Sequence, residues 1–452
     1  METELHIGID DTDSRRGGCT TYTAACLFQE LLSNGFRPLD YPWLVRLNPN
    51  IPWKTRGNGA LSLHFGIEEE RLEDARKITL ATVERTVDLK PKSADPGVAF
   101  LRGPIPQALR EFSTRALHDV ISVREAKSLS KVLGIEIHLL KGSRGLVGAL
   151  ACIGADLTGD HTFEIIAYRT KENLGIPRRV DQDSIRRMDT AYGASTFNNI
   201  DPETGRILIC PHGPDPVLLG IRGEDPNSVA CAFNQIEISE PVERTMIFRT
   251  NQGTDAHLNC HARIETLQPH QSRAIAGTVN VAPRIIRGGH AIFRISDERG
   301  TIDCAAYRAT GSVRETALQL IPGDSVIVSG GVRPLPHGGL TLNIEKLEIT
   351  NLVDKIRLDN PQCPLCSSRC GSMGKDQGLR CKKCKTRITR EKIKTLMLRQ
   401  IRAGVYVPPA RAHRHLTKPA SRSEGARSTH SPINHALIDQ ILGSIIATSI
   451  GS

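Results

Sequence analysis

Two pairs of cysteines carry the most specific chemistry in the chain, Cys363-Pro-Leu-Cys366 and Cys381-Lys-Lys-Cys384. Two CxxC knuckles at this separation set four thiolates tetrahedrally around Zn²⁺, in a closed and therefore structural site. A redox pair would come as a single CxxC beside a βαβ pattern, so zinc is the expectation. Cys370 lies outside the two pairs and is not expected to ligate. Lys382, Lys383 and Lys385 flank the second knuckle, where they suit phosphate contact. The other cysteines are scattered and read as small buried hydrophobes.

The second group is acidic. Asp10-Asp-Thr-Asp13 closes a strand-like alternation, Leu5 to Ile9, and precedes the glycine turn Gly17-Gly-Cys-Thr-Thr21. Carboxylates at a strand's C-terminal end are a common way to hold Mg²⁺, which keeps its waters and bridges phosphates. Gly17 and Gly18 allow backbone N–H groups to approach an anion, and a following helix N-terminus favours negative charge. Thr20 stands at that N-terminus, placed to cap the helix, bind phosphate or accept a phosphoryl group. Alone, the acidic run reads equally as an Asx turn. Joined to the glycines it becomes a nucleotide-site candidate, although no GxxxxGK[ST] loop is present. The loop Lys54-Thr-Arg-Gly-Asn-Gly59, with Lys54, Arg56 and Asn58, is either a surface turn or a neutraliser of phosphate charge.

These residues need elements to hold them. Thr20 to Leu32 reads as a helix closed by Asn34-Gly35, with strands at 43–47 and 60–65 and helical patterns at 70–86 and 113–131. Residues 134–240 mix short strands with Gly/Pro loops, and Gly142 to Ala151 opens a helix on glycines. From 272 to 350 the pattern turns all-β, with strands at 274–279, 290–295, 301–306, 325–329 and 340–344. A helical piece, 312–321, falls between the third and fourth. Five strands with a helix there is the OB order. Another small barrel has five strands too, but the helix position and the zinc module downstream favour OB. Beyond about 403 the tail reads as extended to Ser431, then helical over 433–446.

The 452 residues suggest roughly three domains at about 150 residues each. The chain's net charge is +10. Residues 355–402 hold 14 Lys/Arg against 3 Asp/Glu, and 403–452 hold 5 against 2, which leaves the first 354 at −4. A nearly neutral body with a polyanion-binding end fits this distribution. Met1-Glu-Thr-Glu lacks the basic start of a leader, and no apolar run is long enough to span a bilayer, so a cytoplasmic location is expected. The absence of a Ser/His/Asp or HExxH pattern argues against a protease or lipase.

The motifs together resemble a known family. Gly8-Ile-Asp-Asp-Thr-Asp-Ser14 with Gly18-Cys-Thr-Thr-Tyr22, Arg46-Leu-Asn-Pro49 and Lys54-Thr-Arg-Gly-Asn-Gly-Ala60 are similar to the archaeal 2-agmatinylcytidine synthetases. So are Asp95-Pro-Gly97, His212-Gly-Pro-Asp-Pro216, Asn251-Gln-Gly-Thr-Asp255 and the CxxC pairs, to about residue 420. The resemblance implies an ATP-dependent carbon–nitrogen ligase. It would join agmatine to the 2-position of the first anticodon cytidine of an isoleucine tRNA with a CAU anticodon, cleaving ATP to AMP and two phosphates. It implies catalytic carboxylates at Asp10, Asp11 and Asp13, which would also hold Mg²⁺, and an autophosphorylated threonine at Thr20. Gly17, Gly18, Lys54, Arg56 and Asn58 would bind ATP. Agmatine is a dication, so carboxylates are expected for it, at Asp201 and Asp215, beside a wall formed by Ser195 and Asn198. ATP, Mg²⁺ and Zn²⁺ are the expected cofactors. No membrane and no protein partner are implied.

The implied architecture is multidomain α+β. It comprises a kinase-like α/β domain over 1–132, a ferredoxin-like domain over 133–265, an OB-fold β-barrel over 270–352, a zinc ribbon over 358–390 and a basic tail with a C-terminal helix over 391–452. Against this stands a non-catalytic single-stranded nucleic-acid binder built on the OB fold and ribbon. Such a binder has no use for the acidic turn. A small-molecule kinase would leave the basic end unexplained.

Overall fold

The computed structural model describes residues 2–14, 18–55, 57–87, 94–374, 377–388, 392–423 and 432–438. Its largest element is a ten-stranded sheet. In chain order the strands are β1 (Glu2–Asp10), β2 (Arg37–Pro38), β3 (Trp43–Arg46), β4 (Gly59–Glu68), β5 (Gly97–Arg102), β6 (Glu136–Leu139), β7 (Thr162–Arg169), β8 (Thr196–Phe197), β9 (Val217–Gly223) and β10 (Val242–Thr250). The spatial order is β6-β5-β1-β4-β3-β10-β7-β9-β8, with β2 beside β4. Every pair is antiparallel except one. β3 and β10 run parallel, Trp43 opposite Arg249 and Leu44 opposite Thr250, and this short pairing joins the sheet's two halves.

Helices cover both faces. They are α1 (Thr20–Ser33), α2 (Leu72–Thr86), α3 (Gln107–Ala116), α4 (Val123–Val132), α5 (Gly145–Ile153), α6 (Gln182–Tyr192) and α7 (Pro226–Phe233). Strand alternation divides the side chains between them. Ile7, Leu61, Leu63 and Val98 join α1 in a core that continues under both halves of the sheet. Val45, Ala60, Ala99 and Leu101 face the other way, onto α3 and α5. The helix α1 has the expected end, with Gly35 at φ +77 donating back to the Leu32 carbonyl at 2.8 Å. The helical pattern expected over 113–131 is two helices, because residues 117–122 break it and Ser122 caps α4 by accepting from the Glu125 N–H.

The barrel follows the expected order: β11 (Ser272–Ile286), β12 (His290–Ser296), β13 (Thr301–Ala306), α8 (Ser312–Ala317), β14 (Ser325–Pro334) and β15 (Leu340–Asn351). β13 pairs with β15, which closes it. Next, β16 (Lys355–Asp359) leads to the ribbon strands β17 (Cys370–Ser372), β18 (Leu379–Cys381) and β19 (Arg387–Ile388). Then β20 (Ile393–Met397) returns to pair with β16, and β21 (Gly404–Tyr406) lies on β15. The ribbon's own core is small: Cys363, Cys370, Leu379, Cys381 and Ile388.

The tail departs from the extended reading. After β21 it makes a 3₁₀ turn at Ala410–Ala412 and a short helix, α9 (Ala420–Ser423), and it is strapped to the body. Arg422 is buried, its guanidinium donating to Glu224 and Asp160, and Lys418 also meets Asp160 at 2.7 Å. Part of the basic charge at this end is thus neutralised within the molecule. The expected C-terminal helix begins with a helical turn at 435–438, where Leu437 and Ile438 join the body's core. The rest of that expectation lies outside the described residues.

Candidate active site and zinc centre

The sheet's central strands end at a cleft of about 620 Å³, within the range of small-molecule sites. The Asp10 end of β1, the Arg46 end of β3, the start of β7 and the end of β9 all reach it. Asp10, Asp11 and Asp13 form one wall and Thr20, the first residue of α1, lies beside them. Helix α5 presses on this acidic turn, and glycine is what permits it. A β-carbon on Gly145 would fall 2.6 Å from the Asp95 carbonyl oxygen. Gly18, at φ +77, closes the turn, and a β-carbon there would lie 3.1 Å from the Thr12 carbonyl oxygen and 3.3 Å from Asp13 Cα.

Burial pushes the Asp10 carboxyl well above the usual range, and Asp11 pushes it further. Burial also raises Asp11, to about 7, against the opposing pull of Arg144 3.8 Å away. Asp11 adopts φ +57, a strained conformation for a residue with a side chain. Asp95 supports the arrangement, its Oδ2 accepting from the N–H groups of Ser143 and Arg144 at 3.1 and 3.0 Å. The Thr55 hydroxyl donates to Asp13 Oδ1 at 2.7 Å, docking the Lys54 loop on the acidic turn.

The same cleft holds charged groups that the sequence did not single out as site residues. Arg222 donates through Nε to Glu164 Oε1 at 3.0 Å, and Gln252 donates to the other oxygen of Glu164. Arg46 lines the same end, and burial lowers its pKa to about 10. The strap brings in His415, whose Nδ1 lies 3.1 Å from Arg222 Nη2 and 3.0 Å from Gln252 Oε1. Arg46 and burial hold His415 far below its ordinary pKa, so the ring is neutral. Glu164 and Arg222 had a signal, since each is a charge inside an otherwise apolar strand run. His415 lies nearly two hundred residues beyond its partner Arg222 and had none.

The expected site residues divide. Asp10, Asp11, Asp13, Thr20, Lys54, Asn58, Asn198 and Asp215 line the cleft. Asn58 also braces its own loop, donating to the Asn48 carbonyl at 2.8 Å. Asp201 and Ser195 are not among the lining residues. The buried Asp201 carboxylate receives Arg411 of the strap at 2.9 Å and the Thr204 hydroxyl, and Ser195 donates to the Tyr192 carbonyl. Gly17 and Arg56 lie outside the described residues. Asn251 fastens the two sheet halves, accepting from the Arg46 N–H at 2.8 Å and donating to its carbonyl at 2.9 Å.

At the far end, the sulfurs of Cys363, Cys366, Cys381 and Cys384 all lie within 4.8 Å of one another. The closest pairs are 3.4 and 3.5 Å apart. Bonds of about 2.3 Å to a central Zn²⁺ put tetrahedral sulfurs about 3.8 Å apart, so the donor set fits zinc. Cys370 is buried beside them and is not one of the four.

A layered α+β body with a cleft lined by carboxylates and arginines, joined to an OB barrel and a cysteine-rich ribbon, defines a nucleic-acid-handling enzyme with a structural zinc site. Similarity to known proteins gives the family. The family model described as TiaS TCKD domain matches residues 6–141, the TiaS FLD domain 143–257 and the TiaS C-terminal zinc ribbon domain 360–401. An OB-fold nucleic acid binding domain matches 274–350. The chain belongs to the family of TiaS, the 2-agmatinylcytidine synthetase of an isoleucine tRNA. It is 42% identical to the synthetase of Pyrococcus horikoshii, over 92% of this chain and 96% of that one. Identity to the Methanosarcina mazei synthetase is also 42%, over 92% and 97%. Among solved structures, the complex of TiaS with its isoleucine tRNA and ATP superposes with a TM-score of 0.84 at 35% identity, covering 95% of this chain and 99% of that one. The complex of TiaS with the same tRNA, AMPCPP and agmatine does so at 0.81 and 33%, with the same coverage.

Proposed function

We propose that this protein is an ATP-dependent ligase that joins agmatine to the 2-position of the first anticodon cytidine of the CAU-anticodon isoleucine tRNA. One observation supports this most. A single cleft holds both an acidic turn suited to Mg²⁺ and phosphate chemistry and an Arg46–Arg222–Glu164 group. The curated relatives carry this activity in their names, and solved relatives are complexes with an isoleucine tRNA and ATP, and with that tRNA, AMPCPP and agmatine.

The chemistry fits the parts. The 2-oxygen of cytosine is a poor leaving group until a phosphoryl group is placed on it. The primary amine of agmatine then attacks C2, a C–N bond forms, the C–O bond breaks and phosphate departs with the oxygen. In this reading Asp10, Asp11 and Asp13 are the catalytic carboxylates, Thr20 is the phosphoryl acceptor, and Lys54 with Gly18 contacts ATP phosphate. Mg²⁺ supplies charge neutralisation on the triphosphate when bound. Burial and mutual repulsion raise Asp10 and Asp11, a cost that a cation bound at the turn would relieve. The three carboxylates are not among the groups whose ligand atoms converge. An ion there would be held by these carboxylates only in part and would draw its remaining ligands from phosphate and water. For agmatine, Asp215 and Asn198 face the cleft, with Glu164 as a further carboxylate. The target cytidine must leave its stack to enter. No helix of the described residues is long and apolar enough to cross a membrane, and the cytoplasm, where tRNA is decoded, is the proposed location.

The test is label transfer. Zinc-loaded protein with ATP, Mg²⁺ and CAU-anticodon tRNA should make radiolabelled agmatine acid-precipitable, and should reject arginine and putrescine. Tight tRNA binding without label transfer would favour the simple binder.

A further inference from the structure

The C-terminal strap brings one side chain into the cleft, and its surroundings are unusual. His415 sits among Arg46, Arg222 and Lys54, all of which line the cleft, with Glu164 the carboxylate beside them. The group around His415 is therefore net positive, in the same cleft as the acidic turn. Arg46 Nε is buried and has no hydrogen-bond partner among the described residues. The space in which the Arg46 and His415 side chains meet exists because residue 57 is glycine. A β-carbon there would lie 2.6 Å from His415 Cδ2 and 2.8 Å from Arg46 Nη1. The strap is held in register by main-chain bonds, Gly253 N–H to the His415 carbonyl at 2.9 Å and Asp255 N–H to the Leu416 carbonyl at 2.8 Å.

We infer that His415 is a positioning residue that completes a phosphate subsite formed by Arg46 and Arg222, so that the cleft is whole only when the C-terminal strap is docked. The geometry gives the reason. Arg222 and Gln252 both grip Glu164, and His415 lies within hydrogen-bond reach of both. A neutral imidazole at this point separates the guanidinium groups without adding charge, and it leaves Arg222 aimed at the cleft. Planar guanidinium groups are suited to phosphate oxygens. The inference rests on the reading that the cleft takes ATP and a nucleotide of RNA. Phosphate from either source has the chemistry this group recognises.

The test compares full-length, zinc-loaded wild type with His415→Ala, His415→Asn and Gly57→Ala. ATP affinity, tRNA affinity, kcat and KM are each measured. His415→Ala is expected to raise KM and Kd for ATP about tenfold with little change in kcat, as for loss of a binding contact. His415→Asn, which keeps a polar group near Nδ1, should recover part of the loss. Gly57→Ala retains His415 but displaces its ring, and should weaken ATP in the same direction, so a folding defect in the alanine variant does not end the test. Weakened tRNA affinity with ATP unchanged would assign the subsite to an RNA phosphate. Values for both ligands within about twofold of wild type in His415→Ala and Gly57→Ala would overturn the inference. Because ATP affinity is read directly, the result stands even if wild type adds no agmatine to tRNA.

Discussion

A β-carbon on Gly148 would lie 2.0 Å from Asp10 Oδ2, so α5 reaches the acidic turn only because residue 148 is glycine. Gly148→Ala is expected to push the helix or the carboxylate away, at about 1–3 kcal/mol of overpacking. A displacement of about 1 Å at a reacting centre costs on the order of a hundredfold in rate. Turnover should therefore fall by about that factor, with a much smaller change in tRNA affinity. Full activity in Gly148→Ala would show that this contact does not set the turn.

Asp11 gives a pH signature. Its pKa in the folded protein is about 7, because burial outweighs Arg144, while an unfolded aspartate titrates near about 3.9. Between those values the folded state holds a proton that the unfolded chain has released. Stability therefore falls as pH rises through this window and is not regained above it. Asp11→Asn, which imitates the protonated form and tolerates positive φ, should melt higher than wild type at pH 7.5 without divalent ions. The difference should vanish near pH 4. Mg²⁺ should stabilise wild type more at pH 7.5 than at pH 5, with proton release detectable by calorimetry in two buffers. The same variant should lose ATP cleavage. An Asp11→Asn protein no more stable than wild type at pH 7.5 would contradict the burial argument.

The ribbon's core of three cysteines, one leucine and one isoleucine is too small to hold a fold without its metal. Cys381→Ser should remove zinc and unfold this module alone. Melting of the body should be unchanged, because its core is separate. If the ribbon grips tRNA, affinity should fall by about tenfold or more and the salt dependence of binding should become shallower. Unchanged tRNA affinity in a zinc-free protein would detach the ribbon from recognition.

Arg422 is bonded to both Asp160 and Glu224, with little solvent access to its side chain. Removing it leaves Glu224 without its cation and Asp160 with Lys418 alone, and breaking such a pair typically costs about 3–5 kcal/mol. Arg422→Ala should lower the denaturation midpoint accordingly. The Arg422→Ala/Glu224→Gln double variant should recover part of the loss. Additive losses would show that the pair does not couple.

Some of this was legible in the sequence because it is local. The barrel's order followed from alternation and turn residues, the zinc site from spacing, and α1 from its glycine stop. The parallel pairing of Trp43 with Arg249 was not, because it joins strands two hundred residues apart and only two register pairs carry it. The tail was misread as extended because its basic residues look solvated one by one. Arg411, Lys418 and Arg422 have carboxylate partners on the body, and only the folded chain brings those together. Asp201 was expected to face agmatine on the strength of its charge, yet its charge answers Arg411. Glu164 stood in a recognisable strand, but its role depends on Arg222 across a register pair.

The most direct test of the central claim is the mass of one nucleoside. CAU-anticodon tRNA treated with this protein, ATP, Mg²⁺ and agmatine would be digested to nucleosides and short fragments and analysed by mass spectrometry. The account predicts that the first anticodon cytidine alone gains the mass of agmatine less one water, and that omitting ATP abolishes the gain. An unchanged cytidine, or a gain at any other position, with folded and zinc-loaded protein would contradict it.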